Sequence, residues 1–205
     1  MNDLLQPAIP QNIENLALPN PDLLNYYKDA NERVYWLEGE VDAPTLDLVK
    51  VIMRCNIADM GLPPENRIPI KIFIDTNGGD VQIMWSLVNA IKISQTPVYT
   101  IVYCTALSAG AHILAAGHKR FAFPGATVLI HSGSCMYGGD MEKVESAKKY
   151  FDALGKKANE LFLEDTNVAA KDLKKRGAID WYLSAEDALA CGVIDKIVED
   201  FAEVM

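Results

Sequence analysis

The chain has 205 residues, 50% of them hydrophobic and 23% charged, with a formal net charge of -9. That is the length and composition of one globular domain with a core of its own, and it excludes a disordered chain. The acidic balance argues against nucleic acid or an anionic membrane surface as a partner, and no apolar run reaches the roughly 18 residues that a membrane span requires.

Residues 1–32 carry Pro7, Pro10, Pro19 and Pro21 with scattered apolar residues and no period, and an irregular N-terminal arm is expected there. Residues 33–205 are expected to form a single domain. Its first strand is read at 33–38, through Val34, Tyr35, Trp36 and Leu37. Asp42 and Pro44 open a helix. Leu48, Val51, Ile52 and Cys55 share one face of it, and Gly61, Pro63 and Pro64 close it. A second buried strand at 70–74 runs into Asp75-Thr76-Asn77-Gly78-Gly79-Asp80 and then a helix at about 81–94. A third strand at 97–104 hands over, at about Ser108, to a small-residue helix that ends at Gly117. Short strands follow at 120–123 and 127–130. A long helical pattern covers about 140–165, and a shorter one about 169–175. Ser184-Ala185-Glu186-Asp187 starts a last helix in capping-box style, and 193–198 closes as a strand.

Strands alternate with helices, and the strands are apolar runs rather than alternating ones. That pattern predicts an α/β domain on a mostly parallel sheet. The four cysteines, Cys55, Cys104, Cys135 and Cys191, have no CxxC spacing. Cys55, Cys104 and Cys191 sit in apolar segments and are expected to be buried free thiols. The three histidines lack a close second ligand, so neither a metal nor another cofactor is expected. Met1-Asn2-Asp3-Leu4-Leu5 has no basic n-region and no long apolar h-region, which points to the cytoplasm.

Two strand-to-helix turns could carry chemistry, at Gly78-Gly79 and at Ser108-Ala109. In a parallel sheet such turns share the carboxyl edge, where α/β sites form. Ser108 stands where free N–H groups of a helix start could stabilise an oxyanion, and Ala109, Gly110 and Ala111 leave room for a substrate backbone. The plainer reading is a serine that caps a tightly packed helix. Backbone N–H groups of Gly79 and Ala109 could form a two-donor oxyanion hole, or the glycine pair could be only a tight turn. A serine nucleophile needs a base. His131 lies at a strand's edge and is preferred. His112, four residues after Ser108, points toward core or interface, and His118 looks exposed. Asp180, before Trp181 and Tyr182, is the candidate orienting acid. Asp165 and Asp172 read as ordinary surface charges.

These residues carry a resemblance. The runs Ala106-Leu107-Ser108-Ala109-Gly110-Ala111 and Ile113-Leu114-Ala115-Ala116-Gly117 resemble the nucleophile segment of the Clp protease proteolytic subunit (ClpP) family. Lys119-Arg120-Phe121-Ala122-Phe123-Pro124 and Val128-Leu129-Ile130-His131 resemble its histidine segment. Asp180-Trp181-Tyr182-Leu183-Ser184-Ala185-Glu186-Asp187-Ala188 is similar to its aspartate segment. The likeness runs from about residue 31 to 200.

The resemblance implies a crotonase-like α/β spiral with a projecting helical handle at about 140–165. It implies a serine endopeptidase with Ser108 as nucleophile, His131 as base, Asp180 as orienter, and Gly79 and Ala109 as oxyanion donors. The implied assembly is a homo-oligomeric ring, a heptamer or stacked heptamers, with the sites inside a chamber. Its substrates would be peptides or unfolded proteins, and its possible partner an ATP-dependent unfoldase. Departures from the family pattern are Asn77 before the glycine pair, Ser132-Gly133 after the histidine, Ile179 before the aspartate, and the rewritten stretch 134–139. Gly78-Gly79-Asp80 and a short turn before the histidine segment resemble the phage and prophage branch. The competing expectations are a non-catalytic ring subunit and a crotonase-type acyl-CoA enzyme.

Overall fold

A computed structural model describes residues 21–133 and 138–205. The chain divides into two units, Met1–Glu32 and Arg33–Met205. In the first, α1 (Pro21–Glu32) is a helix where the sequence reading expects irregular chain. Pro21 is its first residue, a position that wants no backbone N–H and a fixed φ.

The second unit is built on a seven-stranded sheet among the described residues. β1 (Val34–Val41), β2 (Ile70–Gly79), β3 (Val98–Leu107), β4 (Lys119–Ala122) and β7 (Lys196–Ile197) pair in that order, all parallel. β5 (Thr127–Ile130) pairs parallel with β3 and antiparallel with β6 (Trp181–Ser184). The helices are α2 (Leu46–Ala58), α3 (Val81–Ile93), α4 (Ala109–Ala115), α5 (Met141–Asp165), α6 (Ala170–Arg176) and α7 (Ala185–Ala190). This mixed α/β fold with a mostly parallel sheet is the class expected.

Parallel strands covered on both faces need continuous apolar runs. Ile70, Ile72, Ile74, Ile101 and Val102 meet that need and are fully buried. Each contributes roughly 1.5–3 kcal/mol by leaving water. On one face α3 buries Met84, Leu87, Val88 and Ile91, and α2 buries Leu48, Ile52 and Cys55. On the other, Val34, Phe73, Ile101, Phe121, Val198 and Val204 form a second cluster. α3 starts cleanly because Asp80 Oδ1 accepts from the N–H groups of Gln82 and Ile83, at 2.6 and 3.1 Å. Arg33 donates two bonds to buried Asp59, at 2.6 and 2.7 Å, and thereby fixes the entry into β1.

Several boundaries differ from the sequence reading. β2 runs straight through Gly78 and Gly79, so the glycine pair ends a strand rather than forming a free turn. Residues 193–198 give only the two-residue β7. In α5 the fully buried residues are Ala158 and Phe162, with Leu154 and Leu161 packed partly buried against the same core. No helix among the described residues is long and apolar enough to cross a membrane.

Candidate active site

β3 changes partners along its length. Residues Tyr99 to Val102 pair with β4, and Thr105 to Leu107 pair with β5. Asp75 Oδ1 accepts from both the backbone N–H (3.1 Å) and the hydroxyl (2.7 Å) of Thr105, which holds β3 where the change occurs. The backbone N–H of Ser108 then donates to the Leu129 carbonyl at 2.9 Å. Ser108 is forced into φ 56, ψ -116, a conformation that costs a non-glycine residue about 1–3 kcal/mol. Its side chain emerges at the sheet's carboxyl edge, between β3 and α4.

His131 follows directly on β5. Its Nε2 is 2.7 Å from Ser108 Oγ. In the antiparallel β5–β6 pair Ile130 is opposite Trp181. One residue further along each strand, His131 Nδ1 meets Asp180 Oδ1 at 3.4 Å. The Asp180 side chain is 58% exposed and that of His131 26%. With Nδ1–H turned to the carboxylate, Nε2 is left to accept the Ser108 proton; this tautomer follows from the partners.

The glycines divide their work. A Cβ on Gly78 would stand 2.7 Å from both Leu107 O and Ser108 Cβ, and φ there is +93. Gly78 is buried, and its N–H already donates to Thr76 Oγ1 at 3.1 Å. Gly79, at φ +152, lies with its α-carbon hard against the main chain of Val41 and is exposed on its other side. Of the pair, Gly79 is the exposed one, and the Gly78 N–H is already engaged. Ala109, buried, is the first residue of α4, ahead of the helix's own hydrogen bonds.

The other histidines do not reach Ser108 in this way. His112 lies half-buried with its ring edge against Phe162, at 5.3 Å between centroids. Burial, and then the nearby charge of His131, push its pKa down to about 4. His118 Nδ1 accepts from the Val98 N–H at 2.9 Å. Asp165 is no ordinary surface charge: it pairs with Lys92 at 2.5 Å and its side chain is 16% exposed. Cys55 is buried and Cys191 half-buried, but Cys104 is exposed. Cys135 lies outside the described residues. The sequence reading missed Thr76, Asp75 and the Leu129 carbonyl. The signal for the first two was their place just before the glycine pair; for Leu129 there was none, since its part is played by backbone.

The folding unit that carries this edge is that of a Clp-type α/β protease. The sequence model of the family described as "Clp protease" matches residues 31–201, and the chain belongs to that family. A curated relative, the ATP-dependent Clp protease proteolytic subunit 2 of Treponema denticola, is 29% identical over 195 residues, covering 94% of this chain and 95% of the relative.

Proposed function

We propose that the chain is a serine endopeptidase whose peptidase unit is residues 33–205, with Ser108, His131 and Asp180 as its triad. The observation that carries the reading is the 2.7 Å contact between His131 Nε2 and Ser108 Oγ. His131 Nε2 takes the hydroxyl proton as Oγ attacks the scissile carbonyl carbon. The carbonyl oxygen becomes an anion and accepts from the N–H groups of Gly79 and Ala109. Collapse breaks the C–N bond, and the leaving amine receives the proton held on His131. A water molecule, deprotonated by His131, then hydrolyses the acyl ester and returns Ser108 to its start. Asp180 keeps the imidazole turned and steadies its charge.

By kinship with a subunit named as part of an ATP-dependent protease, the working form is a homo-oligomeric ring with its sites facing an inner chamber. Peptides and unfolded proteins are its substrates, and an ATP-driven unfoldase its partner. The test is a fluorophosphonate probe followed by peptide mapping. Labelling at Ser108 that is lost in Ser108→Ala supports the reading; an unlabelled, fully folded wild-type protein overturns it.

A further inference from the structure

The strand that ends in the glycine pair carries a bulge. β1 and β2 run in register up to Gly39 opposite Thr76, after which Glu40 faces Gly78 and Val41 faces Gly79. Asn77 is the extra residue, and it points into solvent. A bulge leaves main-chain groups without ladder partners and re-aims the strand beyond it. Here a single atom serves both loose ends. Thr76 Oγ1 donates to the Gly39 carbonyl at 2.5 Å and accepts from the Gly78 N–H at 3.1 Å. The other branch of the same side chain reaches across to α4: Thr76 Cγ2 sits so close to Gly110 that a Cβ there would collide with it. Thr76 is 1% exposed, so neither contact is open to replacement by water.

One buried side chain thus touches the strand that bears Gly79 and the helix turn that bears Ala109. From this geometry we propose that Thr76 is the positioning residue of the oxyanion site, its hydroxyl holding the bulge so that the Gly78–Gly79 main chain stays at a fixed separation from Ser108 and Ala109. The proposal rests on the reading of Ser108 as nucleophile. A donor displaced by about 1 Å loses much of its hold on the developing charge while leaving ground-state binding nearly intact.

The variants Thr76→Val, which keeps shape and loses the hydroxyl, and Thr76→Ser, which keeps the hydroxyl and loses the methyl, separate the two halves of the side chain. Active sites are titrated with a fluorophosphonate, so that kcat is expressed per reactive Ser108. In Thr76→Val, kcat should fall about 10- to 100-fold with KM within about threefold of wild type. The inhibition constant of a peptide aldehyde, whose adduct places its oxygen in the oxyanion site, should rise by the same factor. Thr76→Ser should stay within about threefold of wild type in both. Should Thr76→Val not fold, Thr76→Cys, with a weaker hydrogen-bonding group of similar size, should fall between wild type and a tenfold loss, below Thr76→Ser. Hydrogen exchange in the peptide spanning residues 77–80 should speed up in the valine or cysteine variant and not in the serine one, whatever the chain's activity. A valine variant with wild-type kcat per site and aldehyde affinity overturns the proposal. So does a serine variant as impaired as the valine one, or exchange unchanged in both. An unlabelled wild-type protein would instead remove the peptidase reading and leave the exchange result standing.

Discussion

Ile130 and Trp181 face each other across the antiparallel pair of β5 and β6. Because strand partners step in opposite directions, the residue after Ile130 must face the residue before Trp181. Those residues are His131 and Asp180. The parallel pairing of Leu107 with Leu129 brings Ser108 level with Ile130, one residue short of His131, and His131 Nε2 reaches back to within 2.7 Å of Ser108 Oγ. Three polar side chains from distant parts of the chain meet because β3, β5 and β6 are neighbours in one sheet and end at the same edge.

That meeting is not equally tight at both ends. The Ser108–His131 contact is 2.7 Å, whereas His131–Asp180 is 3.4 Å and open to water. His131→Ala should therefore be as inactive as Ser108→Ala, losing roughly 10⁴-fold in kcat/KM. Asp180→Asn should lose less, about 10- to 100-fold, since an exposed carboxylate at that distance contributes less to holding the ring. His112→Ala should keep most activity. Steady-state kinetics on a fluorogenic peptide checks the order; a silent His112→Ala beside an active His131→Ala would reverse the choice of base.

His112 should instead shape the stability of the fold against acid. Its folded pKa, about 4, lies below the ordinary imidazole value of 6.5 because burial disfavours the imidazolium. Between those two values the unfolded chain holds a proton that the folded chain lacks. Stability from this group is therefore complete above about pH 6.5 and is lost as pH falls toward about 4, by roughly 1–3 kcal/mol. Burial shifts His118 in the same direction. Denaturant midpoints measured from pH 7 to 4.5 should fall, and less steeply in His112→Phe. Identical slopes for the two proteins would contradict the assignment.

Gly78→Ala probes how closely β2 approaches the nucleophile. Its Cβ would meet Leu107 O and Ser108 Cβ, each at 2.7 Å, at a φ of +93. Peptide cleavage should fall more than about 100-fold, and stability by about 2–4 kcal/mol. Gly125→Ala, where a Cβ meets nothing within 4 Å, is the matched control and should be near neutral. The pair is read from kcat/KM and the urea midpoint.

The first turns of α5 concern assembly. Val144, Ala147, Phe151 and Leu154 are only half-covered by their own chain. In a ring they have a neighbour to pack against, and an apolar interface of that kind tolerates no unpaired charge. Light scattering at micromolar concentration should give a particle several times larger than one 22.6 kDa chain. Phe151→Glu should shift it toward smaller species with lower activity. A monomeric wild-type protein that still cleaves peptides would refute this.

Much of the fold could be read from local chemistry, because the parallel strands announce themselves as β-branched apolar runs and Ser184 caps its helix in the expected manner. The order Ser108, His131, Asp180 emerged from strand ends and family likeness. Other features depend on partners far away in sequence. β6 is short and alternates buried with exposed residues, Trp181 and Leu183 inward, Tyr182 and Ser184 outward. Its strand character comes from β5, and beside the Ser184 cap it was hidden. Asp165 looked like a solvent charge because Lys92, its partner, lies 73 positions away. Cys104 sits in an apolar stretch, yet its side chain is exposed. The extension of β2 through Gly79 follows from its pairing with Val41, which no window around the glycines contains.

The antiparallel strand β6 also sets an order of events at birth. Ser108 and His131 are synthesised early, but β5 has one free edge until residues 181–184 arrive, after the whole of α5 and α6. A ribosome adds about 5–20 residues per second, so for some seconds the nascent chain carries an open strand edge and an imidazole without its carboxylate. On the proposed triad, the site should therefore be completed, and the open edge of β5 closed, only when residues 180–184 have docked.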